Sequence, residues 1–435
     1  MSKPKGTGKF KKSITFLVLS VLIVFTYQNC AQSGSGAFDI NSNSVPPQPG
    51  GCTYNSSWAT VDDFVYSGGT KSYGYGSATD ASGDVFSVGV SYDSASKTHF
   101  VTRKSIDHGG TWNTVDDFIY AGGSLSGASS IGVDSSGDVF AIGYGTDSKG
   151  KYHYITRRST DSGTTWATVD DFVYVAAGTA PSYGNFFGKD AAGDIFSVGH
   201  GVDAAAKDHY IVRKSTNHGT SWTTVDDFVY TGGTVSQGIG FGEDPSGYLY
   251  SLGTGDDSKG IYHGIMRRSG DQGATWTTVD DFVYPNATVT HNSGFGVDSD
   301  GNVYVTGFAT NSTGINHYLV RKSINFGIGL SLVDDFMYGG SGSSVGQGFI
   351  MDAVGDIYTG GYGNDAAGMT HQIARKSIDK GATWTTVDDY VYPGGSLSVS
   401  DKSFSMDNLG NIYYVGYSSD SSTKIHFITR SLTCH

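Results

Sequence analysis

Val115-Asp116-Asp117-Phe118-Ile119-Tyr120 decides the reading of this chain, because the same string, with Phe or Tyr in fourth place, also begins at Val61, Val169, Val225, Val279, Val333 and Val387. The steps are 54 residues, with a single step of 56. Each copy is followed by an Asp-x-x-Gly turn and a short alternating run, as in Asp134-Ser135-Ser136-Gly137-Asp138-Val139-Phe140. A polar loop comes next, and then a His with an Arg four places on, as in His153 and Arg157. The length of 435 residues would suit two or three domains, but a repeat of this kind makes residues 51–435 one domain.

Every signal inside the unit is for strands. Asp-x-x-Gly needs Gly where φ is positive, and the run after it alternates with period two. No segment beyond the first 30 residues shows helical periodicity. Four short strands per unit, seven times over, predict an all-β fold: a seven-bladed β-propeller of four-stranded antiparallel blades. The first unit begins at its fourth strand, near Trp58, and the last ends after its third, at Arg430. The N-terminal strand is therefore expected to join the C-terminal blade and close the ring.

The turn after the third strand adds a resemblance. Ser105-Ile106-Asp107-His108-Gly109-Gly110-Thr111-Trp112 resembles the Asp-box of sialidase-type propellers, Ser-x-Asp-x-Gly-x-Thr-Trp. It recurs with Asp161 and Trp166, Asp271 and Trp276, and Asp379 and Trp384. The copy at 215–222 carries Asn217 and Ser221, and that at 323–330 is eroded to Asn325 and Leu330. In that family the box is structural, with Asp capping the turn and Trp packing between blades, so the resemblance implies fold rather than catalysis.

Gly is about 15% of the chain (64 residues), yet aromatics stand at 13%, which excludes a disordered or collagen-like chain. The net charge of −13 argues against a nucleic-acid partner. Lys3, Lys5, Lys9, Lys11 and Lys12 precede an apolar run at 14–25, so residues 1–29 read as an export signal. Cys30 resembles the lipidated cysteine of bacterial lipoproteins, although Asn29 and Tyr27 depart from that family's pattern. Residues 30–50 read as a flexible tether. The expected location is the outer membrane or cell surface, reached through a lipid anchor, and otherwise the periplasm or the medium. With Cys30 lipidated, Cys52 and Cys434 remain; aligned to the box they fall in one turn of the shared blade, which predicts a disulfide.

The seven His, from His99 to His426, and the Arg that follow them occupy single repeat positions and are expected to be structural, paired with the Val-Asp-Asp carboxylates. All nine Arg lie at or beside this position, no Phe-Arg-Ile-Pro motif is present, and Glu243 is the only Glu. A Tyr nucleophile of the sialidase kind thus has no visible partner. Neither a metal nor a cofactor is expected, and Asp298-Ser299-Asp300-Gly301-Asn302 reads as the ordinary repeat turn. Function is expected where the repeats differ, at the rim opposite the boxes, with Tyr73, Tyr183, Gln237 and His291 as ligand-binding candidates. The expectation is a non-catalytic binding or scaffold module at the cell envelope, taking a glycan or a surface protein. The alternatives are a sialidase-like glycoside hydrolase and a purely structural surface protein.

Overall fold

Alternation of apolar and polar residues, cut every eight or so positions by an Asp-capped turn, leaves the chain little choice but antiparallel meanders. The computed structural model describes residues 53–54, 57–175 and 180–435; Cys30, Cys52, the export signal and most of the tether region lie outside them. The described residues are all-β, with 28 strands and no helix. The first meander runs through Ser72–Thr79, Val85–Tyr92, Thr98–Ser105 and Asn113–Phe118, paired in that order. The second to sixth repeat it at 126–172, 182–228, 236–282, 289–336 and 344–390. The fourth and fifth are counted as one eight-stranded sheet because a parallel bridge, Tyr262 to Val289, joins them. A composite sheet takes three strands from 398–432 and its fourth, Ala59–Phe64, from the other end of the chain.

Three turns hold each meander. Asp80 accepts the backbone N–H of Ser82 and Asp84 at 2.9 and 3.0 Å while Gly83 takes φ +88°. At the other end, Asp93 accepts from Ala95 and Lys97, both at 2.8 Å. In the Ser-x-Asp turn, Ser105 Oγ accepts from Gly109 N–H, Asp107 accepts from Thr111 N–H at 2.7 Å, and Trp112 Nε1 donates to Gly109 O. The Trp side chains then pack across the joint between meanders: Trp166 lies on the cluster of Phe86, Val88, Ala128 and Ile131, and Trp276 on that of Phe196 and Phe241.

The repeated charges fasten one meander to the one before it. Arg103 donates from Nε and Nη2 to Asp62 at 2.6 and 2.7 Å, and its guanidinium lies 4.2 Å from the centre of the Phe64 ring. The same pairing joins Arg157 to Asp116, Arg213 to Asp170, Arg267 to Asp226, Arg321 to Asp280, Arg375 to Asp334 and Arg430 to Asp388. His99 instead stays within its own meander, donating from Nδ1 to Asp117 at 2.5 Å, with Tyr66 OH on the other carboxylate oxygen at 2.7 Å. These contacts are the structural network anticipated for the repeated His and Arg.

Candidate functional site

The first strand of every meander carries a bulge. The ladder skips Tyr75, Ser129, Asn185, Ile239, Ser293 and Gln347, and skips residues 401–403 in the composite sheet. Two places before each bulge lies the row that holds Tyr73, Gly127, Tyr183, Gln237, His291, Val345 and Val399. Across from it, on the second strand, stand Val90, Tyr144, His200, Thr254, Phe308, Tyr362 and Tyr417. Neither row repeats, although the scaffold on which both are mounted does. Both lie at the end of the second-to-third-strand turns, away from the Ser-x-Asp turns.

Along this end the aromatic residues form one belt. Tyr73 meets Tyr417 edge-on at 4.9 Å and lies parallel to Tyr75 at 6.3 Å. Tyr144 packs on Tyr152 at 5.7 Å and on Tyr183 at 5.5 Å, and Tyr152 lies 4.9 Å from Tyr183. Tyr75 is fully enclosed beside Tyr73, and burial first, then the charges of Tyr417, Asp401 and Tyr144, raise its hydroxyl. Gly127 is what lets Tyr144 enter: a Cβ there would sit 2.4 Å from Val90 Cγ2 and 2.9 Å from the Tyr144 ring. Burial pushes the Tyr73 hydroxyl up to about 12, with Tyr92 adding to it. Burial also holds the Tyr75 and Tyr183 hydroxyls far above the ordinary phenol range. At neutral pH these groups keep their protons and serve as donors rather than as phenolate nucleophiles.

At one end of the belt lies a buried cluster with acid–base character. His200 stacks on Tyr183 at 5.0 Å and 15°. Its Nδ1 lies 2.8 Å from both oxygens of Asp208. Gln237, from the next meander, donates to Asp208 Oδ2 at 2.7 Å. His200 and Asp208 are each 7% exposed, and the positions equivalent to Asp208 hold Thr98, Tyr152, Tyr262, Asn316, Thr370 and Ile425. A carboxylate clamped on Nδ1 fixes that nitrogen as the protonated one and leaves Nε2 as the proton acceptor.

Three of the four expected rim residues, Tyr73, Tyr183 and Gln237, thus come together in the belt and at its acid–base end. His291 stands apart in the fifth meander, stacked on Phe308 at 5.2 Å and 5% exposed. The sequence reading missed Tyr75, Tyr144, Tyr152, His200, Asp208 and Tyr417. The signal was available: at the first-strand bulge for Tyr75, and at the aligned second- and third-strand positions for the others, the residue varies from one repeat to the next.

No family model matches the sequence, and no curated protein is similar to it. The structure resembles an α-L-arabinofuranosidase of Fusarium graminearum solved with arabinobiose (TM-score 0.52, 12% identity, covering 87% of this chain and 98% of that one). It also resembles a Hadza microbial sialidase (TM-score 0.50, 15% identity, 86% and 68%) and an ulvan lyase bound to a GlcA-containing repeat (TM-score 0.52, 11% identity, 84% and 96%). The likeness establishes a sialidase-like β-propeller fold. It also corrects the functional expectation. The folds this chain resembles are those of carbohydrate-active enzymes, which overturns the readings "non-catalytic binding or scaffold module" and "not an enzyme" and favours the enzymatic alternative.

Proposed function

We propose that this protein is a glycan-cleaving enzyme that works at the tyrosine belt, with His200 as its proton-transfer group. The observation that carries the reading is the buried His200–Asp208 pair, braced by Gln237 and stacked on Tyr183, on positions that do not repeat from meander to meander. Tyrosine faces suit sugar stacking, and a Nδ1-clamped imidazole suits proton abstraction. Of the two chemistries represented among the resembling folds, elimination fits better than hydrolysis. Hydrolysis ordinarily uses two carboxyl groups facing the scissile bond or, in sialidases, a Tyr nucleophile activated by a carboxylate, whereas Asp208 is already engaged by His200 and Gln237 and burial keeps the Tyr73, Tyr75 and Tyr183 hydroxyls protonated. In an elimination, His200 Nε2 takes the proton beside a uronate carboxyl group, the bond to the leaving oxygen breaks, a C=C bond forms, and the Tyr183 hydroxyl returns a proton to that oxygen.

The test is a panel of uronate-containing and neutral polysaccharides, read for unsaturated product and for new reducing ends. Unsaturated product lost in His200→Ala, with kcat down by about 10²–10⁴, supports the proposal. Reducing ends without unsaturation would replace elimination by hydrolysis, and no turnover on any glycan would refute the enzymatic reading.

The scaffold is read in the same terms. Seven four-stranded blades closed into a ring are supported by the run of Arg–Asp pairs, which returns from Arg430–Asp388 to Arg103–Asp62 through the composite sheet. The Ser-x-Asp turns are read as Asp-boxes, on the strength of the caps at Asp107, Asp161, Asp271 and Asp379. A Cys52–Cys434 disulfide is supported by the pairing of the chain ends: Thr53 and His435 exchange backbone hydrogen bonds at 3.2 and 3.0 Å, and Tyr54 bridges Cys434. Lipidation at Cys30 and a place at the cell envelope complete the reading.

A further inference from the structure

The exposed large apolar side chains are unevenly placed. Among the described residues they all fall at the end of the Ser-x-Asp turns and the first-to-second-strand turns. Three sit on one loop: Ile324, 81% exposed, Phe326, 41%, and Ile328, 45%. Ile378, Leu409 and Ile106 follow in the sixth, composite and first meanders, at 73%, 54% and 71%. The two kinds of turn share one end, because His108 of one bonds Asp407 of the other at 2.9 Å and Lys380 pairs with Asp300. In the opposite turns the exposed positions hold small or polar residues, such as Ser148 and Lys149, and the large apolar ones, Ile261, Ile315 and Met369, are half-buried. Single exposed apolar residues are ordinary on a protein surface, but their confinement to one end is not.

The loop at 323–330 is also the eroded copy of the turn, with Asn325 and Leu330 in place of Asp and Trp. Its fourth position, which holds His, Ser, Gln or Lys in the other described turns, holds Phe326 at φ +49°. A bulky ring in the left-handed region costs stability.

We infer that this apolar arc is the face that rests on a lipid bilayer, with the Ile324–Phe326–Ile328 loop entering the headgroup region. The occupant is argued from the chain itself. Thr53, the first described residue, pairs with His435 at this same end. Cys30 lies 23 positions before Thr53 in the sequence. A lipid on Cys30 would therefore hold this end, and not the tyrosine belt, against the membrane. The inference uses the Cys30 proposal for the tether and does not depend on the glycan-cleaving one.

The experiment mixes the full chain with phosphatidylethanolamine/phosphatidylglycerol vesicles that carry nitroxide-labelled acyl chains. An environment-sensitive fluorophore is placed on Phe326→Cys or on Ser148→Cys at the opposite end, with the chain lacking an added cysteine as background and thermal melting as the fold control. Ile324→Cys replaces Phe326→Cys if the latter melts early. The expected result is quenching several-fold stronger at 326 than at 148, and vesicle binding about tenfold weaker in Ile324→Ser/Phe326→Ser/Ile328→Ser. Equal quenching at both sites would overturn the inference. So would protection at 326 without quenching in a chain that sediments as a dimer, which would make a second copy the occupant. Mass spectrometry of the N-terminus reports on Cys30 separately, and quenching at 326 without acylation would leave the apolar face standing on its own.

Discussion

Replacing Asp62 with Ala tests at one position how the meanders are joined and whether the N-terminal strand is a working part of the ring. The Arg103 and Asp62 side chains are only 9% and 6% exposed. Without the carboxylate, Arg103 keeps its bond to Thr114 Oγ1 at 3.1 Å, a long contact to Trp112 O at 3.4 Å, and the face of Phe64. None of these carries charge, so a buried cation is left uncompensated. Breaking such a pair from one side costs about 3–5 kcal/mol. For a chain of this size that corresponds to roughly 3–6 °C in melting temperature, if melting is two-state. The double substitution Asp62→Leu/Arg103→Met removes both charges and should recover most of the loss. The interior pair Asp170–Arg213, treated in the same way, is the reference. Denaturant and thermal melts of the two cycles would show comparable coupling if the first strand is locked into the composite sheet. A loss under 1 kcal/mol for Asp62→Ala, beside a full loss for Asp170→Ala, would refute the reasoning, because it would mean that the N-terminal strand is frayed.

Three further outcomes are expected. Asp161, Asp271 and Asp379 are held down to about 2, chiefly by the Thr hydroxyls and backbone N–H groups they accept from. A carboxylate whose folded-state value is lowered stabilises the fold above its unfolded value and loses that contribution as pH falls through the folded one. The wild type should therefore lead the triple Asn variant in urea melts near pH 6, and the gap should close between about pH 4 and pH 2; a gap independent of pH would contradict this. Gly127→Ala should displace the Tyr144 ring and weaken glycan binding in isothermal titration more than it lowers the melting temperature, because the clash falls on the belt; unchanged affinity would remove Tyr144 from the site. Thiol labelling of the denatured, unreduced mature protein should find neither Cys52 nor Cys434, and labelling of both would exclude the bridge.

The fold was legible because its determinants are local and repeated. An Asp four residues before the N–H it caps, a Gly at most positive-φ positions and a Trp at every Ser-x-Asp turn exit but that of Leu330 can be counted from the string alone. The Arg–Asp pairs were half legible: the residue types and the partner motif could be read, but each Arg reaches the carboxylate of the preceding unit, 41 residues back for Arg103. The site was legible only as a row. Tyr73, Tyr183 and Gln237 lie on the strand that starts each unit, where divergence was easy to see. His200 and Asp208 sit on the next two strands, and only the register that sets Tyr183 opposite His200 and Val202 opposite Asp208 brings them to the same place. The function was misread because seven equivalent His–Asp pairs made imidazole look structural everywhere, which hid the buried His200–Asp208 pair outside the repeat.

The strand Ala59–Phe64 has a consequence for the order in which the molecule forms. It is made first and pairs with the last strand to be made, with Thr60 and Arg430 separated by 370 residues. All the other strand pairs of the meanders close within a few dozen residues and can form as the chain emerges. Until Ile425–Leu432 is made, this strand has no ladder partner, a state in which exposed edges recruit other chains. Its sequence, Ala-Thr-Val-Asp-Asp-Phe, places two adjacent carboxylates in mid-strand. Adjacent charges discourage pairing with strangers, and Asp62 finds a countercharge only when Arg103 of the following meander is in place. The residues that fasten one meander to the next would thus also protect the nascent chain while it waits for its own C-terminus.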